Sequence, residues 1–581
     1  MRISRNKIIP PALKWVLTGA LLLFVAALPT SAQVFTNANG GIPGAYLSAV
    51  VHGDFDNDGK LDVLLAGEGY FGATTTVWRN LGNGAFADFA DLYQDPISNT
   101  GVYQGSVAAA DFFNTGRLDA LVTGIGRASN PSTQLWHNLG GGNFVATTNT
   151  GLSPTDYNSV AVGDFDNDGK LDVVLWGNGD GNGILQVARG LGNGTFTNFN
   201  SGLNGNGNSS VGGVFAADFN NDGYTDILLG QVMWRNLGNG TFTNINSGLP
   251  GPALAVGDFN NDGYLDVVVN NGSYQIWRNL GNGTFTNTGA ILPAIPSPTG
   301  LFPAVAAVGD YDNDGFSDIV LETGSYFSPS AQVWRNLGNG TFANVKSVAG
   351  ATEGTLTWGD FNGDGRLDFL LTGQQGQDSN AHPIYTAQVW QSISGTPTNT
   401  PPTAPTNLTA QIKGHGGVRL NWAAATDDHT PTAGLNYNIR VGSASGGVDI
   451  VSPEANPLTG QRLVVQLGNA QERLFSLLTN LTGGTYYWSV QAIDTLFAGG
   501  AFATDSTFVI PPAISNATYI NGQFQVTFPA LATNSYTLQA STNLSTWATV
   551  TNLIPLTNGP AQLTDLNAAS FPVRYYRLSC P

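Results

Sequence analysis

The stretch GDFDNDGKLD stands at residues 53–62 and again, unchanged, at 163–172, and loops of the same pattern begin at seven places in the chain. Their first acids are Asp54, Asp111, Asp164, Asp218, Asp258, Asp310 and Asp360, spaced 40–57 residues apart. A period of this size marks an array of small units, each completed by its neighbours. Every acidic loop is preceded by a short apolar run such as AAVGD and followed by another such as LDVVVN. A third run follows, often QVWRN, then LGNGTF, then a fourth short run. Asn-Gly between apolar runs is the strongest short signal for a hairpin. Four strands per copy in seven copies predict an all-β chain built as a seven-bladed β-propeller. Seventy-five glycines and only 11% charged residues fit this, because long helices need charged surfaces.

The ends of the array predict closure. Copy seven reaches its third strand at AQVWQ (387–391) and passes into SISGTPTNTPP without a fourth. The segment VFTNANGGIPG (34–44) matches TFTNINSGLPG (241–251), so Val34–Asn37 is expected to be the outer strand of the last blade. An open ring would leave unpaired edges. Ahead of it, Arg2, Arg5, Lys7 and Lys14 precede the apolar run Trp15–Leu28 and the small residues of PTSAQ. That order reads as a signal peptide over 1–32 and hence an exported chain. No later segment reaches ~18 consecutive apolar residues, so no transmembrane segment is expected in the mature chain. The only cysteine, Cys580, is read as a surface thiol, and no internal disulfide can form. A chain of this size without disulfides needs another stabiliser, such as burial or bound ions.

Numbered from its first acid, the opening loop carries Asp54, Asp56, Asp58 and Asp62 at positions 1, 3, 5 and 9. Gly59 at position 6 permits a sharp turn, and Lys60 at position 7 offers its backbone carbonyl. Hard oxygen donors in a short loop suit calcium. An EF-hand would need an acid at position 12, where Leu65 stands. The pattern resembles the FG-GAP/VCBS-type calcium loops of the integrin α-chain propeller. Carried across by position, the resemblance implies that copy three binds through Asp164, Asp166, Asp168, Lys170 and Asp172. Copy four would use Asp218, Asn220, Asp222, Tyr224 and Asp226, and copy five Asp258, Asn260, Asp262, Tyr264 and Asp266. Copy six would use Asp310, Asp312, Asp314, Phe316 and Asp318, and copy seven Asp360, Asn362, Asp364, Arg366 and Asp368. Copy two departs, with Phe113 and Thr115 at positions 3 and 5 beside Asp111 and Asp119, and is expected to be empty or weak. About six Ca²⁺ are therefore expected. The six intact loops hold twenty-one of the forty acids, and six divalent ions would bring a formal charge of −18 to about −6. Acidity of this origin argues against nucleic acid as a partner.

Alternating strands send the acidic loops and LGNG hairpins to one face, and the variable connections to the other. Variable loops on a rigid scaffold suggest recognition. That second face carries Tyr70, Phe71, Tyr274, Tyr326, Phe327 and Tyr385, which could stack on sugars, anchor a protein, or simply pack the loops. In the integrin head, ligands meet the same face. Trp78, Trp136, Trp234, Trp277, Trp334 and Trp390 recur in one register and are expected to pack between blades; Trp176 and Trp358 lie off that register and are candidates for contact with ligand. GEGYFG (67–72) matches a dinucleotide fingerprint by letters but is followed by the strand-like ATTTVWRN, so it is rejected. TDDHTP (426–431) is expected to be a polar loop, and His382 with Asp378 in the copy-seven loop leaves catalysis open.

The domains expected are the propeller over 33–392, a Pro/Thr-rich linker over 393–404, a module over 405–510 and a small β-sandwich over 511–581. The segments LTAQIKGHGGVRLNWAAATD and GTYYWSVQAID make the 405–510 module resemble a fibronectin type III domain with Trp422 and Trp488 in its core. Both modules are read as spacers or as sorting or binding appendages. The sequence thus points to a secreted calcium-binding adhesion or recognition protein whose partner is an extracellular glycan or cell-surface protein. A polysaccharide lyase or hydrolase working on the same face, and a structural cell-surface protein, are the alternatives.

Overall fold

The computed structural model describes residues 35–579, apart from 39, 71, 93–100, 127–129, 180–181, 200–201, 204–212, 294–303, 326–327, 381, 394–398, 415, 531–534 and 558. The expected signal peptide, Val34, Phe71, Tyr326, Phe327 and Cys580 lie outside the described residues.

Among the described residues, the repeat becomes seven four-stranded antiparallel sheets. The first comprises Tyr46–Gly53, Asp62–Gly69, Gly72–Asn80 and Phe86–Asp91, hydrogen-bonded in that order. Its second strand is buried almost throughout, as DVLLAGEG requires, whereas its outer strand is exposed at Asp88 and Asp91. The first strands of the later sheets are Val107–Ala110, Asp156–Gly163, Val214–Ala217, Ala253–Gly257, Val305–Gly309 and Leu356–Gly359. The first strands of neighbouring sheets touch around the array, from the first sheet to the fourth and from the fifth to the seventh, and the seventh returns to the first. Sheets four and five meet through Ala217 and Ala253 in one apolar cluster. Sequences such as VAAA, VFAA and VAAVG suit this propeller-like centre, where converging strands leave room only for small side chains.

The last sheet takes its outer strand from the other end of the chain: Phe35, Thr36 and Asn37 pair antiparallel with Ser392, Gln391 and Trp390. The Phe35 ring sits among Tyr311, Trp358 and Phe369 at centroid distances of 5.2–6.2 Å. Removing such a buried ring costs about 3–5 kcal/mol, so the pairing is anchored by a side chain as well as by backbone bonds. The tryptophans of the common register lie directly across from buried second-strand residues, for example Trp334 from Ile319 and Trp390 from Phe369. Trp176 and Trp358 are corrected as ligand candidates. Both are buried in apolar clusters, and Trp358 Nε1 donates to Ala307 O.

Beyond residue 405, Thr406–Gly414, Gly417–Ala423 and Phe475–Leu478 form one three-stranded sheet. Asn436–Gly442, Gly484–Ile493 and Ser506–Ile510 form a second, and Trp422, Tyr437 and Trp488 fill the core between them. Two further three-stranded sheets follow between Asn516 and Ser579. The reading of residues 405–510 as a spacer is corrected: the stretch 443–474 and the turns around His429 and Thr495 lie against the acidic loops, as the contacts below show. The described residues between 35 and 579 pack as one compact unit. Among the described residues, no helix is long and apolar enough to cross a membrane.

Candidate metal centres

Each loop is wound around its first acid. Asp54 Oδ1 accepts the N–H of Asp58 at 2.9 Å, and Oδ2 accepts that of Gly59 at 2.8 Å. Asp164, Asp218, Asp258, Asp310 and Asp360 repeat both bonds. The ninth-position acid ties the loop to the sheet: Asp62 accepts from Phe55 N at 3.0 Å and from Asn80 N at 2.8 Å. The turn needs left-handed backbone at Asn57 (φ 58°) and Gly59 (φ 92°), a region that Asn and Gly tolerate best.

Carboxylate oxygens consequently converge. Those of Asp54, Asp56 and Asp58, of Asp164, Asp166 and Asp172, and of Asp310, Asp312 and Asp318 lie within 4.8 Å of one another. In copies four and seven, the third-position Asn220 and Asn362 accept the N–H of Asp222 and Asp364 through Oδ1, whereas Asn260 in copy five donates Nδ2 to Asp266 Oδ2 at 3.3 Å. Burial, reinforced by neighbouring acids, pushes Asp62 up to about 7 and Asp226, Asp266 and Asp368 up to about 8. The same causes raise Asp54 and Asp258 to about 6 and Asp310 and Asp312 to about 7. Asp164, Asp172 and Asp318 are driven well above the carboxylate range. Acids so placed must take up protons or be met by a cation.

Arginines of the third strands supply part of that charge. Arg79 reaches Asp56 at 2.6 Å and Asp58 at 3.0 Å, and Arg189 reaches Asp166 and Asp168, both at 2.7 Å. Arg335 forks across Asp312 and Asp314 in the same way, while Arg278 reaches Asp262. They leave Asp166 Oδ1 and Asp312 Oδ1 buried without a hydrogen-bond partner, each inside a converging cluster. An all-oxygen donor set with orphaned carboxylate oxygens fits a hard divalent cation. The position-seven side chains have a second role. The rings of Tyr224, Tyr264 and Phe316 lie over the hairpin glycines Gly238, Gly281 and Gly338, where an added Cβ would come within 2.5–2.9 Å.

Copy two keeps the winding but not the donor set. Asp111 still accepts from Thr115 N at 2.8 Å and Gly116 N at 2.6 Å. At the arginine position, however, His137 bonds Asp119 at 2.8 Å, and Phe113 stacks on that imidazole at 3.7 Å.

Sequence reasoning passed over two sets of residues that hold the loops together. Asn80, Asn138, Asn236, Asn279 and Asn336 end the third strands, and each donates Nδ2 to the position-two carbonyl of the preceding sheet's loop, as Asn138 does to Phe55 O at 2.7 Å. The position-four asparagines form a chain from loop to loop: Asn57 to Gly116 O, Asn114 to Gly169 O, Asn167 to Gly223 O, Asn221 to Gly263 O and Asn261 to Gly315 O. Their recurrence at fixed positions was the available signal.

Residues 454–495 cover this end of the ring. Leu463 O accepts Asp54 N at 2.8 Å, Gln471 Oε1 accepts Asp218 N at 2.8 Å, and Thr495 O accepts Asp310 N at 3.2 Å. Glu454 Oε1 accepts Asp111 N at 3.2 Å, and Thr495 Oγ1 donates to Asp310 Oδ2 at 2.8 Å. A cavity of about 550 Å³ remains between this segment and the inner strands.

At the opposite end, Tyr70 is 62% exposed in the tip between the second and third strands of sheet one. Its hydroxyl donates to Pro383 O at 3.1 Å and accepts Tyr385 N at 3.2 Å. The Tyr70 and Tyr385 rings lie 4.8 Å apart, and Tyr46, which was not singled out from the sequence, stacks on Tyr385 at 5.7 Å. Tyr274 is corrected as a surface residue: it is 9% exposed and packs in an apolar cluster. His382 Nδ1 lies 3.4 Å from Asp378 Oδ2 in the exposed tip of the seventh sheet.

An FG-GAP-like repeat profile matches residues 54–122, 125–175, 169–229, 258–321 and 325–371. Comparison with curated proteins returns no match. Among solved structures, rhamnogalacturonan lyase YesW is 13% identical, with 60% of this chain and 72% of that chain covered and a TM-score of 0.35. A lectin of Aleuria aurantia in complex with α-methyl-L-fucoside is 9% identical, with 67% of this chain and 99% of that chain covered and a TM-score of 0.31. Likenesses this distant carry no argument about what the chain does.

Proposed function

Proceeding from a chain that carries FG-GAP-like repeats, we propose an exported, calcium-stabilised β-propeller of seven blades that recognises a glycan at the end opposite its acidic loops. Calcium in six loops would supply the positive charge that the converging acids require. Asp54, Asp164, Asp218, Asp258, Asp310 and Asp360, with their partners at positions 3, 5 and 9, would hold it. The fibronectin type III-like module then acts as a lid on the loop end, not as a stalk.

The observation that carries the binding role is the asymmetry of the two ends. The loop end is covered by residues 454–495, whereas the other presents the Tyr46, Tyr70 and Tyr385 rings, with Tyr70 largely exposed. Aromatic faces beside polar edges suit stacking on sugar rings. Affinity electrophoresis of the mature protein through polysaccharide gels containing calcium tests the reading. Retardation by at least one polymer is expected, and Tyr70→Ala should abolish it at a stability cost of only about 0.5–3 kcal/mol, the usual range for a single substitution, so that the variant stays folded. Retardation that survives Tyr70→Ala and Tyr385→Ala together would place the site elsewhere. The His382–Asp378 contact favours a second reading, polysaccharide cleavage, which shortening of the retarded polymer would support.

A further inference from the structure

Four third-strand arginines meet the acids of their own loop, and a fifth does not. Arg79, Arg189 and Arg335 each bridge the acids at positions three and five, and Arg278 reaches Asp262. Arg235 holds the same place on the third strand of sheet four, Val232–Asn236. Its Nη2 donates instead to Asn282 O, in the hairpin of sheet five, at 2.7 Å. Loop four has Asn220 at position three, so no pair of carboxylates is there to be bridged. Asn220 Nδ2 also donates to Asp222 Oδ2 at 3.0 Å, the position-five oxygen that an arginine takes in the other four loops.

The lid brings a cation to this loop from outside the ring. Arg473 Nη1 stands 3.4 Å from Asp218 Oδ2, and the two side chains are 6% and 0% exposed. The guanidinium is held in place: Nε donates to Ala470 O at 3.0 Å, and the group lies 5.7 Å from the centre of the Phe475 ring. Two residues earlier, Gln471 Oε1 accepts Asp218 N at 2.8 Å. Asp218 keeps its bonds to Asp222 N and Gly223 N, so Arg473 adds charge without unwinding the loop. A carboxylate buried this deeply is strongly destabilising unless a cation or proton meets it. We propose that Arg473 is the charge-balancing residue of loop four, supplied by the lid in place of Arg235, so that the docked lid and a divalent cation in loop four oppose each other. This rests on the calcium reading of the loops. Loop six shows the contrast: there the lid offers Asp310 Oδ2 the neutral hydroxyl of Thr495, at 2.8 Å, and brings no charge with it.

Calcium retained by the full chain across a series of buffered free-calcium concentrations, measured by elemental analysis beside the melting temperature, tests the assignment. Arg473→Gln should bind one equivalent at roughly tenfold lower free calcium than wild type, the scale of removing one unit charge near a divalent ion in a water-like medium. Its melting temperature should fall in chelator and fall less in calcium. Arg473→Lys keeps the charge and should follow wild type in both readouts. Adding Asp226→Asn to Arg473→Gln should remove the shifted equivalent, because that acid belongs to loop four. Unchanged calcium retention in Arg473→Gln, with an equal loss of melting temperature in calcium and in chelator, would overturn the proposal and leave Arg473 a packing residue. A shift that Arg473→Lys reproduces, or that survives Asp226→Asn, would overturn it as well. Wild-type protein that binds no calcium would instead overturn the reading beneath it.

Discussion

The second and sixth loops have the same winding and opposite contents. In both, the first acid accepts the N–H groups of positions five and six, and the ninth-position acid accepts from position two and from the asparagine that ends the third strand. In the sixth, Asp312 and Asp314 face Arg335, and Asp312 Oδ1 is left buried without a partner. In the second, Phe113 stacks on His137, and His137 Nδ1 is hydrogen-bonded to Asp119 Oδ1. The backbone of the loop therefore does not depend on the full set of acids. Backbone bonds, Asn114 and Asn138 suffice to hold it, and the extra carboxylates of the other copies have to be explained by what they bind.

The sharpest way to break this comparison is to substitute the same position in both kinds of loop. Asp172→Asn should cost about 2–3 kcal/mol more in calcium than in chelator, the linkage value of one well-occupied site, as read from denaturant melts. Asp119→Asn should cost about 1–3 kcal/mol for its buried hydrogen bonds, equally with and without calcium. Equal behaviour of the two variants would erase the distinction.

A smaller effect should appear with pH. Asp226, Asp266 and Asp368 lie at about 8 in the metal-free fold, far above an unfolded aspartate near 3.8. The metal-free fold thus holds more protons than the unfolded chain. Its stability from these groups is complete below about pH 4 and is lost as pH rises through about 8. The melting temperature without metal should therefore fall between about pH 5 and 8.5. With calcium the trend should flatten or reverse, because binding requires deprotonated ligands. A metal-free melting temperature that rises across this window would contradict the burial argument.

The smallest change expected is a gain. Phe113→Asp, Thr115→Asp and His137→Arg together recreate in copy two the donor pattern of copy six, and one further equivalent of calcium should bind. An unchanged calcium count would show that more than the donor pattern distinguishes these loops.

The spacing of the acids, the Asn-Gly hairpins and the match of 34–44 to 241–251 made the sheets and the pairing of Phe35–Asn37 legible, because each is a local pattern repeated at a fixed period. The same regularity hid the work of intervening positions. Asn57 and Asn138 look like turn and strand-end residues, yet their amides bond neighbouring loops across 59 and 83 residues of sequence. Tyr274 looked like a loop aromatic, but the short turn of Asn271–Ser273 folds it back into the core. The lid was illegible for another reason. Leu463, Gln471 and Thr495 belong to no motif, and their role follows only from where the 405–510 module sits on the ring.

The most direct test of the account is the number of calcium ions bound per chain, measured by elemental analysis of gel-filtered protein equilibrated in calcium, beside the melting temperature before and after chelation. About six ions, with a fall of roughly 10 °C or more on their removal, is the result expected from the linkage of several occupied sites. No bound calcium, and an unchanged melt from verified metal-free protein, would contradict it.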